Sequence, residues 1–121
     1  EISNYLIEQG IKKGDCIGIT CTNRLNYILS ILSIIRLGAV YVPLDYAWEQ
    51  KMISQYISEG NIKRIITDYK SDLQKLINIS DVKANGNISL PEVEWTENML
   101  AYIMFTSGTT GIPKGVGVIW F

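Results

Sequence analysis

The chain has 121 residues, 47% of them hydrophobic, with 11 basic against 12 acidic side chains and a net charge of -1. That length suits one domain or part of a larger one, and a chain of this size can bury roughly two-thirds of its unfolded surface. The balanced charge lacks the basic excess that nucleic-acid binders show, and with no histidine in the sequence neither Ser-His-Asp nor Cys-His catalysis can be built within it.

In chain order, Ile2 to Gln9 places Ile2, Tyr5, Leu6 and Gln9 on one helical face, with Gly10 set to end the helix. Gly14 and Asp15 turn the chain into Cys16–Cys21, a compact apolar run typical of a buried strand. Asn23 can cap the next helix, which runs to about Leu37 before Gly38. Leu25, Ile28, Leu29, Ile31, Leu32, Ile34 and Ile35 cover so much of its circumference that burial on more than one side is expected. Ala39–Asp45 reads as a second strand, and strand, helix, strand implies a parallel, right-handed crossover.

A further helix carries Ile53, Tyr56 and Ile57 on its apolar face and ends at Gly60 and Asn61. Ile62–Thr67 is a third strand bounded by Asp68, and Ser71 to Ile77 is predicted as a short helix capped by Ser71, with Leu73, Leu76 and Ile77 inward. Asn78 to Glu97 suits an exposed connection with a short strand around Val82 or Ile88–Leu90. Leu100–Phe105 is an apolar strand and Val116–Phe121 its return. The alternation predicts an α/β fold, a three-layer arrangement of a largely parallel sheet with flanking helices.

Two other signals bound the setting. Leu25 to Val42, the longest apolar-rich stretch, is interrupted by Asn26, Ser30, Ser33, Arg36 and Gly38 and falls short of the roughly 20 apolar residues of a membrane span. Glu1 opens the sequence without a methionine or a basic leader, so no signal peptide is read and the chain is expected to be entered partway. Cys16 and Cys21, without a third Cys or any His, form no recognisable zinc site, and five positions apart on a strand they point to opposite faces. Small buried thiols in a reducing, cytoplasmic compartment are expected.

The chemistry is concentrated between the last two strands, in Thr106-Ser107-Gly108-Thr109-Thr110-Gly111-Ile112-Pro113-Lys114-Gly115. Glycines let successive backbone N–H groups turn toward one concavity, hydroxyls add short donors and a lysine adds a mobile positive charge, a set that can surround a phosphate chain. Each hydrogen bond to a charged partner is worth roughly 1.5 to 3 kcal/mol. The Walker A pattern is not met, because Pro113 stands where it needs Gly and Gly115 where it needs Ser or Thr. On composition alone, a plain hairpin connection with Pro113 and the glycines as turn residues stays open beside the phosphate reading.

The segment from Thr106 to Gly115 closely resembles the Thr-Ser-Gly-Thr-Thr-Gly-x-Pro-Lys-Gly signature of the adenylate-forming superfamily, which includes acyl-CoA synthetases, luciferases and the adenylation domains of nonribosomal peptide synthetases. Tyr41-Val42-Pro43-Leu44-Asp45, after Gly38 and Ala39, is similar to a segment of peptide synthetase adenylation domains, and Lys13-Gly14-Asp15 to the turn before their first parallel strand. The resemblance implies that Thr106, Ser107, Gly108, Thr109, Thr110, Gly111 and Lys114 bind the phosphates of ATP, with Mg²⁺ neutralising them. It implies activation of a carboxylic acid, more in the manner of an amino-acid-activating domain than of an acyl-CoA synthetase, followed by transfer to a phosphopantetheine carrier protein or to coenzyme A.

By the same resemblance, residues 1–121 are a partial N-terminal subdomain, expected to be inactive alone. The family's acid pocket, adenine segment, ribose aspartate and catalytic lysine lie further along, so no catalytic residue and no metal ligand is assigned, and Lys114 is not that lysine. Partners are ATP, a carboxylic or amino acid and a carrier protein, with no nucleic acid and no membrane. A non-catalytic truncated remnant and a stand-alone nucleotide-binding module are the other functional readings.

The chain departs from the family in two places. Adenylation domains continue Asp-Pro-x-Tyr-Pro-x-Glu-Arg, whereas here Asp45 is followed by Tyr46, Ala47, Trp48, Glu49, Gln50, Lys51 and Met52, so the same helix is expected with an altered approach. Ile119, Trp120 and Phe121 stand where the family has Glu-His or Ser-His, which reads either as strand filling or as a frameshift or early truncation.

Overall fold

A computed structural model describes residues 1–48, 50–83, 90–106 and 114–119, with only the backbone described at Thr106 and Lys114. Helices α1 (Ile2–Glu8), α2 (Arg24–Arg36) and α3 (Gln50–Glu59) alternate with β1 (Cys16–Thr20), β2 (Val40–Pro43) and β3 (Ile62–Thr67); β4 (Leu76–Asn78), β5 (Leu100–Thr106) and β6 (Lys114–Ile119) follow. The strands form one six-stranded sheet in the order β4-β3-β1-β2-β5-β6. All neighbours pair in parallel except β5 and β6, which are antiparallel. Among the described residues, no helix is long and apolar enough to cross a membrane.

Local signals set the element ends. Asn23 caps α2 through its side-chain oxygen, which accepts from the backbone N–H of Leu25 at 2.9 Å and Asn26 at 3.2 Å. Gly38 follows that helix at φ +69°, a left-handed conformation that suits glycine, and its N–H donates to the Ile35 carbonyl.

Side-chain alternation along the strands separates two cores, one on each face of the sheet. Ile17 and Ile19 of β1 and Ile66 of β3 meet Leu6 of α1 and Ile34 of α2. On the other face Val42, Ile62, Ile65 and Phe105 meet Ile53 and Tyr56 of α3. This is the expected three-layer, largely parallel α/β architecture.

Two expectations are corrected. The outer face of α2 is not covered: Leu25, Ile28, Leu29 and Leu32 are 63%, 54%, 41% and 58% exposed, while Ser30 and Ile34 face the sheet. A helix lying on a sheet has one side against it, and among the described residues no second layer lies over the other.

Ser71 to Ile77 is not a helix. Lys75 takes φ +64°, which interrupts right-handed helix, and the Ser71 hydroxyl accepts from the Leu73 N–H in a local turn. Leu76–Asn78 instead adds to the sheet beside Ile65, Ile66 and Thr67 of β3, and this still buries Leu73 and Ile77. A 3₁₀ turn at Ile79–Asp81 follows, with no strand at Val82, and most of the alternative strand position at Ile88–Leu90 lies outside the described residues.

Candidate functional site

Parallel pairing puts the carboxyl ends of β1, β2, β3 and β5, namely Thr20, Pro43, Thr67 and Thr106, along one edge of the sheet, where ligands of such sheets usually bind. Of the expected phosphate-binding residues, Thr106 closes β5 and Lys114 opens β6, and the two are partners in the antiparallel ladder. The segment between them therefore leaves and returns at adjacent positions of that edge. Ser107, Gly108, Thr109, Thr110 and Gly111 lie outside the described residues.

The strand that delivers this segment is firmly seated. Phe105 is 7% exposed, and its ring stacks on Tyr56 of α3 with centroids 4.5 Å apart. Tyr56 in turn meets Trp48 edge-on at 4.8 Å. Trp48 is held by a turn that replaces the prolines of the resembled motif: Asp45 accepts from the Ala47 N–H at its carboxylate and from the Trp48 N–H at its carbonyl. The altered approach to α3 thus still places an aromatic ring against the core. An open, largely apolar cavity of about 350 Å³ lies alongside, with Tyr27, Tyr46, Trp48, Met104 and Phe105 among its walls.

Both cysteines are free, Cys21 buried and Cys16 half-buried. Burial, followed by the nearby Asp68 carboxylate, pushes the Cys21 thiol up to about 11 against a weaker opposing hydrogen bond with Ser30. Burial and then Asp15 raise the Cys16 thiol. Neither has the lowered pKa of a reactive cysteine.

In the sequence Asp68 marks only a strand boundary, yet it ties β3 to the turn between β1 and α2. Its carboxylate accepts from the Thr22 N–H at 2.8 Å and hydroxyl at 3.0 Å, from the Asn23 N–H at 2.9 Å and from the Asn26 amide at 3.1 Å. Partial desolvation works against ionisation, but these hydrogen bonds outweigh it and hold the carboxyl below the usual carboxylate range. The partners are 42 to 46 residues away in sequence, which local patterning cannot reveal.

A carboxyl with a lowered folded-state pKa stabilises above its unfolded value, about 3.9, and loses that contribution as pH falls through its folded value. Asp68→Ala is expected to cost about 1–2 kcal/mol at pH 7. That cost should shrink in urea unfolding at pH 3; a pH-independent difference would contradict this role.

Comparison with known proteins identifies the family and the fold. Residues 1–118 match the family described as AMP-binding enzyme, and the chain belongs to that family. It is 30% identical over 96% of its length to a component of the linear gramicidin synthase of Brevibacillus parabrevis, and 30% identical over 98% to bacitracin synthase 1 of Bacillus licheniformis. In each case it spans 2% of the relative's length.

Among solved structures, 98% of the chain superposes on O-succinylbenzoate coenzyme A synthetase of Bacillus subtilis, in complex with AMP, with TM-score 0.86 and 22% identity, covering 33% of that chain. It superposes equally fully on the Klebsiella oxytoca NpsA N-terminal subdomain, in complex with 3-hydroxyanthranilyl-AMSN, with TM-score 0.80 and 22% identity, covering 31% of that chain. These two likenesses establish the fold: a mixed, mostly parallel sheet with flanking helices, as in the N-terminal part of adenylate-forming enzymes.

Proposed function

We propose that the chain is the N-terminal part of an ATP-dependent adenylating domain that activates a carboxylic acid, and more narrowly an amino acid, for transfer to a carrier-protein thiol or to coenzyme A. The observation that carries this reading is the family match through residue 118, supported by the pairing of Thr106 with Lys114 at the carboxyl end of β5. The amino-acid reading is supported by the similarity to gramicidin and bacitracin synthases.

In the reaction a carboxylate oxygen of the acid attacks the α-phosphorus of ATP. The bond from that phosphorus to the bridging oxygen breaks, and acyl-adenylate and pyrophosphate result. Negative charge builds on the departing phosphates. Residues 106–111 would supply backbone N–H and hydroxyl donors to them, and Lys114 a positive charge. Donors fixed before the reaction need no reorganisation as charge develops, which is the source of their effect.

Mg²⁺ would accompany the nucleotide and neutralise part of its charge. Magnesium is held typically by one or two carboxylates and the substrate's phosphates rather than by an all-protein cage.

The test is titration of the chain with Mg·ATP by calorimetry, with tripolyphosphate as competitor. Saturable binding displaced by tripolyphosphate is expected. Binding that is undetectable, or that adenosine displaces and tripolyphosphate does not, would overturn the phosphate-loop assignment.

A further inference from the structure

Phe105 stands immediately before Thr106, the first residue of the segment read above as the phosphate loop, and the following inference rests on that reading. Its ring is confined from three directions. Tyr56, itself 1% exposed, stacks on it with planes 21° apart. At the end of α3, a β-carbon on Gly60 would lie 2.8 Å from Phe105 Cζ and 3.0 Å from the Tyr56 carbonyl oxygen, so only a glycine lets the helix end come this close. Across the ladder, a β-carbon on Gly115, the partner of Phe105 in β6, would lie 3.3 Å from Phe105 Cε1. Trp48 meets Tyr56 edge-on, its ring 62° to it.

We propose that Trp48, Tyr56 and Phe105 form an aromatic column that positions the phosphate loop, holding the backbone at the end of β5 so that the donors following Thr106 start from one fixed place. These are positioning residues: none is assigned a contact with nucleotide. An anion cradle built from backbone N–H groups depends on where its supporting strand ends, because displacing reacting or binding groups by about 1 Å can cost up to roughly 100-fold in function. A flat ring stacked between a helix and a strand specifies that position more narrowly than an aliphatic side chain of similar bulk.

A column that merely fills the core would affect stability alone, and nucleotide affinity separates the two roles. In Mg·ATP titrations at a temperature where each variant is fully folded by circular dichroism, Tyr56→Leu is expected to bind about tenfold more weakly, and Tyr56→Phe, which keeps the ring, within about twofold of the unaltered chain. Trp48→Leu alters the half-buried end of the column and keeps the test open if Tyr56→Leu does not fold; its expected loss is about threefold. Ile34→Val, in the core on the opposite face, should lower stability and leave affinity unchanged.

Unaltered affinity in the Leu variants that fold would overturn the proposal, as would an equal loss in Ile34→Val. Failure of both Leu variants to fold would reduce the column to core filling and would also overturn it. If Lys114→Ala weakens binding while Tyr56→Leu does not, the column's positioning role falls and the phosphate-loop reading stands. If the unaltered chain does not bind Mg·ATP, both fall together.

Discussion

Replacing Lys114 with alanine is expected to weaken Mg·ATP binding by about 10- to 100-fold, the loss of one hydrogen bond to a charged group at roughly 1.5 to 3 kcal/mol. The expectation follows from where the residue enters the sheet. Lys114 is the first residue of β6 and the ladder partner of Thr106, so its backbone stands at the carboxyl edge of β5 beside the start of the loop. Because β6 is an edge strand among the described residues, the unfolding midpoint of Lys114→Ala should match that of the unaltered chain. Lys114→Arg should retain charge but not the compact ammonium, and recover part of the affinity. Equal affinity of the alanine variant and the unaltered chain would remove Lys114 from the phosphate site.

Ile65→Ala is expected to be among the most damaging single truncations of the fold, at about 4 kcal/mol. Ile65 is 0% exposed on β3, with Gly18 of β1 and Leu76 of β4 as its neighbours across the sheet. Gly18 offers no side chain there, and a β-carbon on it would already lie 2.9 Å from Leu44 Cδ1 and 3.2 Å from Ile65 Cγ1. Ile65 and Leu44 therefore fill space over two strands at once, with α3 across it, and a cavity at this point has rigid walls. Against a total of about 5–15 kcal/mol for a domain, such a loss leaves the chain near its unfolding threshold. Urea unfolding with an unchanged slope and a midpoint lowered in proportion is the expected result; a loss below about 1 kcal/mol would mean that α3 settles onto the sheet to close the gap.

The sequence carries the helices and central strands because their signals are local. Asn23 and Gly38 mark both ends of α2, and the run Ile62–Thr67 coincides with β3. The failures come where the deciding interaction is distant. Leu73, Leu76 and Ile77 fit a helical stripe, but the left-handed Lys75 and the free edge of β3 make a strand of Leu76–Asn78. Seven apolar residues around α2 suggest enclosure, while the described residues supply one covering layer.

The candidate site divides in the same way. Thr106 to Gly115 is legible as a motif, and the placement of its first residue, Thr106, at a strand's carboxyl end follows from the apolar run before it. Neither the Asp68 tie nor the Trp48–Tyr56–Phe105 column is legible, because their members come together only when β3 and β5 take their places in the sheet. Trp48 stands out in the sequence as the surviving aromatic of an altered motif, and its partners do not.

The central claim is that the segment following β5 cradles the phosphates of ATP, and the most direct measurement is the backbone amide spectrum of the isotope-labelled chain during titration with Mg·ATP. The largest shifts should fall on the amides of residues 106–111 and 114–115, and tripolyphosphate should reproduce them without the nucleoside. Shifts confined to other parts of the chain, or none at saturating nucleotide, would contradict the claim.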